Sequence, residues 1–293
     1  MNIRELISKG IETISVTFPE REAREMVLLY LEDVHALRRL IHILEPSYEV
    51  PSETADESLK AFARMASGEP VQYIIGKAHF YGREFNVTPS VLIPRQETEI
   101  LCRDVIEHSP EGLRPNVLDL CTGSGCIAWT LAMELPSAKV TAVDVSEDAL
   151  NVAASQDFAR EMLQTGAAAP CFLEADVLKD IPSELETSSF DVIVSNPPYV
   201  MDREKELMRA NVLEHEPHLA LFVPDDDPLL FYRAVAVWAT KLLVPGGLGM
   251  VEINESLGQE TADVFSAAGF VEVEVIKDLS ERPRFVRFYQ KFV

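Results

Sequence analysis

Basic side chains are scarce in this chain of 293 residues, where 26 Lys and Arg face 48 Asp and Glu for a formal net charge of −22. A surface that grips a nucleic-acid backbone does so through cations that displace condensed counterions, so nucleic acid is a disfavoured partner. The deficit is uneven: residues 1–90 hold 10 basic and 14 acidic groups, whereas residues 91–293 hold 16 and 34. The negative field belongs mainly to the C-terminal part, where a solvated acidic face with no partner explains it equally well.

Cysteine is sparse too. Cys102, Cys121, Cys126 and Cys171 form no Cys-x-x-Cys pair, which excludes a zinc knuckle and a disulfide framework and leaves reduced, mostly buried thiols. Of the scattered histidines only His215 and His218 look like ligands, and Pro217 between them breaks the helix that a paired-His site needs, so no metal is expected. No run reaches about 18 uncharged apolar residues, and no membrane span is expected. The first twenty residues carry acids and bases throughout and lack a signal peptide's apolar core, which makes the cytoplasm the default location. Repeats and low-complexity tracts are missing as well. With 47% apolar residues over this length, a full core and two domains are expected.

Apolar residues recur at helical spacing up to residue 70, as in Ile3, Leu6, Ile7 and Ile11, in Met26, Leu28, Leu29 and Leu31, and in Leu59, Phe62 and Met65. Pro19, Pro51 and the Gly68-Glu69-Pro70 break punctuate this small helical domain, residues 1–70. Residues 71–93 change character: Val71-Gln72-Tyr73-Ile74-Ile75-Gly76, then Phe80 to Phe85 around Gly82, read as short strands joined by Gly turns, a β-hairpin linker. Over residues 94–293 apolar strands alternate with amphipathic helices. Strands are predicted at 116–120, 139–143, 171–174, 190–195, 248–253, 271–276 and 284–289, with helices at 126–135 and 228–243 among those between them. Parallel neighbours need crossovers, so the alternation predicts a doubly wound, mostly parallel sheet, with ligands outside the carboxyl ends of its strands.

The first of these strands, Val117-Leu118-Asp119-Leu120, opens into Cys121-Thr122-Gly123-Ser124-Gly125 ahead of a helix. Glycine lets the backbone turn tightly and approach a ligand there. Gly123-x-Gly125-x-x-Ala128, with Asp144 about 20 residues on, also satisfies the dinucleotide fingerprint. Two features favour S-adenosyl-L-methionine (AdoMet) over NAD. Asp119 would set like charge near a pyrophosphate, yet suits the sulfonium and amino cations of AdoMet, by contact or by orienting loop amides. After the third strand, Glu174-Ala175-Asp176-Val177 offers Asp176 to the adenine amino group and Val177 to the ring face. Asp144 is expected on the ribose, with Ser146 the better cap for the following helix.

The fourth strand runs straight into Asn196-Pro197-Pro198-Tyr199. Successive prolines fix the backbone and donate no amide hydrogen, which leaves carbonyls as acceptors. A planar amide or aromatic amine is a poor nucleophile because its lone pair is delocalised. Accepting its two hydrogens, at the Asn196 side-chain oxygen and the Pro197 carbonyl, would aim that lone pair and stabilise the positive charge that develops. Tyr199 can stack on the planar group beside Pro198, and no strong general base is needed. Catalytic roles are thus expected for Asn196, Pro197 and Tyr199, substrate contact for Asn196 to Tyr199, and cofactor contact for Asp119, Cys121 to Gly125, Asp144, Asp176, Val177 and Asn196.

These residues resemble the amino-methyltransferases with an Asn/Asp-Pro-Pro-Tyr motif, which act on adenine, cytosine or protein glutamine. Gly68-x-Pro70-x-x-Tyr73-Ile74-x-Gly76, Phe80-x-Gly82-x-x-Phe85-x-Val87, Val91-Leu92-Ile93-Pro94-Arg95-x-Glu97-Thr98-Glu99 and Glu216-Pro217-x-x-Ala220-Leu221 narrow the likeness to the peptide chain release factor glutamine methyltransferases, the PrmC/HemK family. That resemblance implies a class I AdoMet-dependent methyltransferase, Rossmann-like with a seven-stranded mostly parallel sheet, a small N-terminal helical domain and a linking β-hairpin. It implies methylation of side-chain N5 of the glutamine in the Gly-Gly-Gln motif of class I release factors, with S-adenosyl-L-homocysteine as product; a monomer is expected, though no residue pattern decides the oligomeric state. Pro94 to Glu99 would close over the methionine end of AdoMet, and the N-terminal helices would hold the release factor. Cys121 stands where the family usually has Gly, Val177 where a larger aromatic is frequent, and Gln96 where Pro is usual. Glutamine methylation of a ribosomal protein, amino-methylation of nucleic acid and a non-catalytic binding module are the alternatives left open.

Overall fold

The computed structural model describes residues 1–109 and 114–292. Its first unit is Met1–Lys77 with Met208–Glu216, and its second is Ala78–Leu207 with Pro217–Val293.

In the first unit Asn2 starts α1 (Ile3–Ile14) with a reciprocal cap, its side chain accepting from the Glu5 amide while the Glu5 carboxylate accepts from the Asn2 amide. The residues at helical spacing, Ile3, Leu6, Ile7, Ile11 and Ile14, are buried along one face. α2 (Glu20–His35), α3 (Ile41–Leu44) and α4 (Ser52–Ala66) follow, α2 and α4 each entered behind a proline whose fixed φ suits a helix start. Gly10 lies where these helices meet: a Cβ there would fall 2.7 Å from Phe62 Cε2 and 2.8 Å from Val27 Cγ2.

Two expectations change here. Val71–Ile75, read as a strand for its β-branched and aromatic residues, is the short helix α5. Pro70 enters it, Gly76 closes it at φ +80 with its amide on the Gln72 carbonyl, and burial of Val71 and Tyr73 overrides strand propensity. The second change is that residues 94–293 are not one uninterrupted domain, because Met208–Glu216 joins the first unit. Arg209 bonds Glu22 at 2.8 Å, an exposed pair that neither residue's sequence context announces.

A hairpin of β1 (Lys77–Phe80) and β2 (Arg83–Asn86) turns on Tyr81 and Gly82, both at positive φ as a two-residue turn requires. Beyond it come α6 (Thr98–His108), β3 (Asn116–Leu120), α7 (Cys126–Glu134), β4 (Lys139–Asp144), α8 (Glu147–Ala154), α9 (Ala159–Thr165) and β5 (Cys171–Glu174). The chain continues through β6 (Phe190–Ser195), β7 (Val200–Met201), α10 (Ala210–His215), β8 (Phe222–Val223) and α11 (Leu230–Leu242). It finishes with β9 (Leu243–Glu252), α12 (Gly258–Ala267), β10 (Val271–Lys277) and β11 (Pro283–Tyr289). No helix among the described residues is long and apolar enough to cross a membrane.

Seven strands form one sheet in the order β10-β11-β9-β6-β3-β4-β5. Pairing is parallel from β9 to β5, and β11 alone runs against its two neighbours. Successive residues face opposite layers, so Val117, Val192, Val194 and Met250 pack with α6 and α7, while Leu118, Leu120, Ile193 and Val251 pack with α11 and α12. β9 begins five residues ahead of the expected strand because Pro245-Gly246-Gly247, a turn signal in isolation, is held as strand by Gly246 N donating to the Gln290 carbonyl at 2.9 Å. From β3 the chain goes to β4 and β5 on one side, then returns to β6 on the other, which puts the topological switch between β3 and β6.

Candidate active site

The loops leaving β3 and β6 flank that switch point, so Cys121 to Gly125 and Asn196 to Tyr199 emerge side by side although about 75 residues separate them in the chain. Between them lies a cavity of about 330 Å³, within the range of small-molecule sites. Its wall includes Cys121, Thr122, Gly123, Ser124, Asp144, Asp176, Val177, Asn196 and Pro198. The backbone conformation matches the need for glycine in only part of the loop: Gly123 and Gly125 sit at φ +55 and +78, and so does Cys121 at +61, where a side chain is strained.

Asp144 holds the loop to the next strand. One carboxylate oxygen accepts from Gly123 N at 2.8 Å and the other from Ser146 N at 3.0 Å, and Ser146 in turn caps α8 by accepting from Ala149 N. Each oxygen keeps a lone pair for a ligand hydroxyl. Burial pushes the Asp144 carboxyl above its ordinary value, against the pull of those amides. Asp176 also faces the cavity while accepting from Leu178 N at 3.0 Å, with Lys179 at 3.3 Å.

Four expected site residues stand off the cavity wall. Asp119 is fully buried behind the loop, where Thr122 Oγ1 donates to its Oδ2 at 2.6 Å; burial pushes its carboxyl up to about 7. Its side chain is turned to the loop hydroxyl of Thr122 and does not line the cavity. Gly125 is a packing glycine, since a Cβ there would meet Ala153 at 3.0 Å and Trp129 at 3.1 Å. Pro197 is buried next to Pro198, outside the lining. Tyr199 is half-buried, and its hydroxyl donates to Glu252 Oε1 at 2.8 Å.

Glu252, at the end of β9, was not foreseen. Its carboxylate is 2% exposed and takes two hydroxyls, that of Tyr199 and that of Thr98, which donates to Oε2 at 2.7 Å. Burial raises its carboxyl and Arg284 opposes the rise. Thr98, 1% exposed at the start of α6, also receives Asn196 Nδ2 at 3.4 Å. Asn254 closes the same corner, its Nδ2 donating to the Tyr199 carbonyl at 3.1 Å and to Glu204 at 2.9 Å. Among the described residues the Asn196 side-chain oxygen and the Pro197 carbonyl accept no hydrogen bond. Ser90 to Leu92, Pro94, Arg95, Thr98, Leu219, Ala220 and Phe231 are also among the lining residues. Phe231 on α11 supplies an aromatic surface in the same cavity as Val177, and no spacing in the sequence pairs the two.

The wall fits AdoMet: apolar faces for a purine, carboxylates at Asp144 and Asp176, a loop at Gly123 with no side chain in the way, and, among the described lining residues, no cluster of cations for a pyrophosphate. Comparisons with known proteins agree. Residues 6–76 match the PrmC N-terminal domain and residues 96–220 the methyltransferase small domain. A release factor glutamine methyltransferase of Flavobacterium psychrophilum is 36% identical over 98% of this chain and 99% of its own length. One from Bacteroides thetaiotaomicron is 45% identical over 75% of this chain and 76% of its own. Among solved structures, a T. thermophilus 16S rRNA N2 methyltransferase in complex with AdoMet and guanosine matches 73% of this chain and 50% of its own at a TM-score of 0.50 and 20% identity, a likeness of fold.

Proposed function

The chain belongs to the PrmC/HemK family of release factor glutamine methyltransferases, and on that premise we propose that it methylates side-chain N5 of the glutamine in the Gly-Gly-Gln motif of class I release factors. Bound AdoMet supplies a methyl carbon made electrophilic by its sulfonium. The chain supplies position. The loop from Cys121 to Ser124, Asp144, Asp176 and the apolar faces of Val177 and Phe231 hold the nucleoside. Asn196 Oδ1 and the Pro197 carbonyl accept the two hydrogens of the glutamine amide, which turns its lone pair toward the methyl group and stabilises the charge that grows on nitrogen. Tyr199, anchored through Glu252, borders the planar group from outside the nucleoside cavity. Once the nitrogen bears positive charge it is acidic enough to lose its proton to water, so no base is assigned. The helices of the first unit serve as the docking surface for the release factor, and the enzyme works in the cytoplasm.

The observation that carries this reading is the pair of unengaged acceptors, Asn196 Oδ1 and the Pro197 carbonyl, at the switch point beside a nucleoside-sized cavity. The test offers the protein labelled AdoMet with release factor, ribosomal proteins and DNA in parallel. Label is expected on the Gly-Gly-Gln glutamine, and Asn196→Ala is expected to lower it at least about 100-fold, as loss of one preorganised hydrogen-bond partner does, with AdoMet affinity falling far less than turnover. Label on DNA or ribosomal protein alone would overturn the reading.

A further inference from the structure

We propose that Thr98 and Glu252 are positioning residues that decide which end of the Asn196 amide faces the acceptor nitrogen. The inference rests on the function proposed above, for it concerns the same asparagine. The two ends of a side-chain amide are told apart by the hydrogen bonds around them. Here the count is closed. Glu252 as a carboxylate only accepts, and it takes the protons of both Tyr199 and Thr98. Thr98 has a single hydroxyl proton, already given to Glu252 at 2.7 Å, so toward Asn196 its oxygen can only accept. The Asn196 end facing it, 3.4 Å away, must therefore be the NH2 group, and Oδ1 must point the other way. A flipped amide would set two acceptors against each other and offer donors to a substrate that is itself an N–H donor.

Three further facts favour a role in positioning over a role in folding. Thr98 stands in the first turn of α6 yet makes no cap to that helix; its hydroxyl reaches 154 residues along the chain instead. Glu252 is a carboxylate kept at 2% exposure, a costly choice where an apolar residue would pack. Arg284, only partly exposed, adds a positive charge that favours the accepting form of Glu252 against the upward push of burial. Glu252→Gln would open the count: only one of Thr98 and Tyr199 can then donate to it, and where its NH2 meets Thr98 the Thr98 proton is freed for Asn196 Oδ1 and the amide turns over.

The experiment measures kcat and KM for the release factor, AdoMet affinity by calorimetry, and melting temperature for wild type, Thr98→Val, Thr98→Ser and Glu252→Gln. Thr98→Val and Glu252→Gln are expected to lower kcat by about 10- to 100-fold, with AdoMet affinity within about threefold. Thr98→Ser, which keeps the hydroxyl, is expected to restore kcat to within about fivefold of wild type. In an Asn196→Ala background neither Thr98→Val nor Glu252→Gln should cost anything more, because their effect passes through that side chain. Wild-type kcat in a folded Thr98→Val protein, or full additivity with Asn196→Ala, overturns the proposal. If the methyl group instead goes to another acceptor, the function reading fails while the variants are compared on that acceptor. For a protein inactive on all acceptors, the side-chain amide resonance of Asn196, identified by its loss in Asn196→Asp, decides: it moves in Thr98→Val and stays in Thr98→Ser.

Discussion

Asp119 sets a pH dependence whose sign and size follow from its burial. Its carboxyl lies wholly out of water, and this raises it from an ordinary 3.8 to about 7 in the folded state, with Thr122 as a partial offset. Below about pH 4 the folded and unfolded chains both hold the proton, and Asp119 contributes nothing. Between about pH 4 and 7 only the folded chain holds it, so unfolding releases a proton and stability falls as pH rises. Above about pH 7 both states are ionised, and a buried anion costs about 4 kcal/mol, three units at about 1.4 kcal/mol each. Asp119→Asn removes the charge while leaving an oxygen to accept from Thr122. Its new NH2 group is buried without a partner, at a cost of about 1–3 kcal/mol that does not vary with pH. Comparing variant and wild type at two pH values cancels that cost. Urea unfolding at about pH 5 and pH 8 should find the variant gaining about 3 kcal/mol on wild type over the interval. A difference that stays constant across the interval would mean that Asp119 is ionised throughout, and the reading of its environment would fail.

Two other outcomes are expected. Cys121 occupies φ +61, and a β-branched side chain tolerates that conformation worst, so Cys121→Val should destabilise by roughly 1–2 kcal/mol and weaken AdoMet binding, whereas Cys121→Gly should melt no lower than wild type; calorimetry with and without AdoMet checks both. Burial pushes the thiols of Cys102 and Cys121 up and that of Cys126 up to about 12, while Cys171 is exposed. A colorimetric thiol reagent at about pH 8 should therefore find one fast-reacting cysteine in the native protein, absent in Cys171→Ser. Fast reaction at Cys102 or Cys126, the two buried thiols, would refute the reading.

What could be read from the sequence was local. Seven strands were visible because the central ones are short apolar runs bounded by turn residues and β10 at the edge alternates apolar with charged residues, and the parallel pairing followed from the helices between them. The glycine loop and Asn196 to Tyr199 were visible for a related reason: each is contiguous, and each follows a strand whose end must lie at the ligand edge of the sheet. Even within those segments, parity along β3 and α7 packing decided that Asp119 turns into the core and Gly125 serves a neighbouring helix. Val71–Ile75 shows propensity losing to its flanks, for Pro70 and Gly76 bracket a helix where Val, Tyr and Ile favour a strand. Glu252 had no such local mark, and Thr98 was marked only as one residue of the Pro94 to Glu99 stretch, with no sign of its bond to Glu252. Their chemistry consists of one shared proton across a 154-residue separation, and nothing in either neighbourhood records the partner. Sequence pattern determines which residues a segment buries and where a chain turns, because those depend on neighbours a few positions away. Which buried acid meets which hydroxyl depends on sheet order and helix placement, and these exist only once the chain has folded.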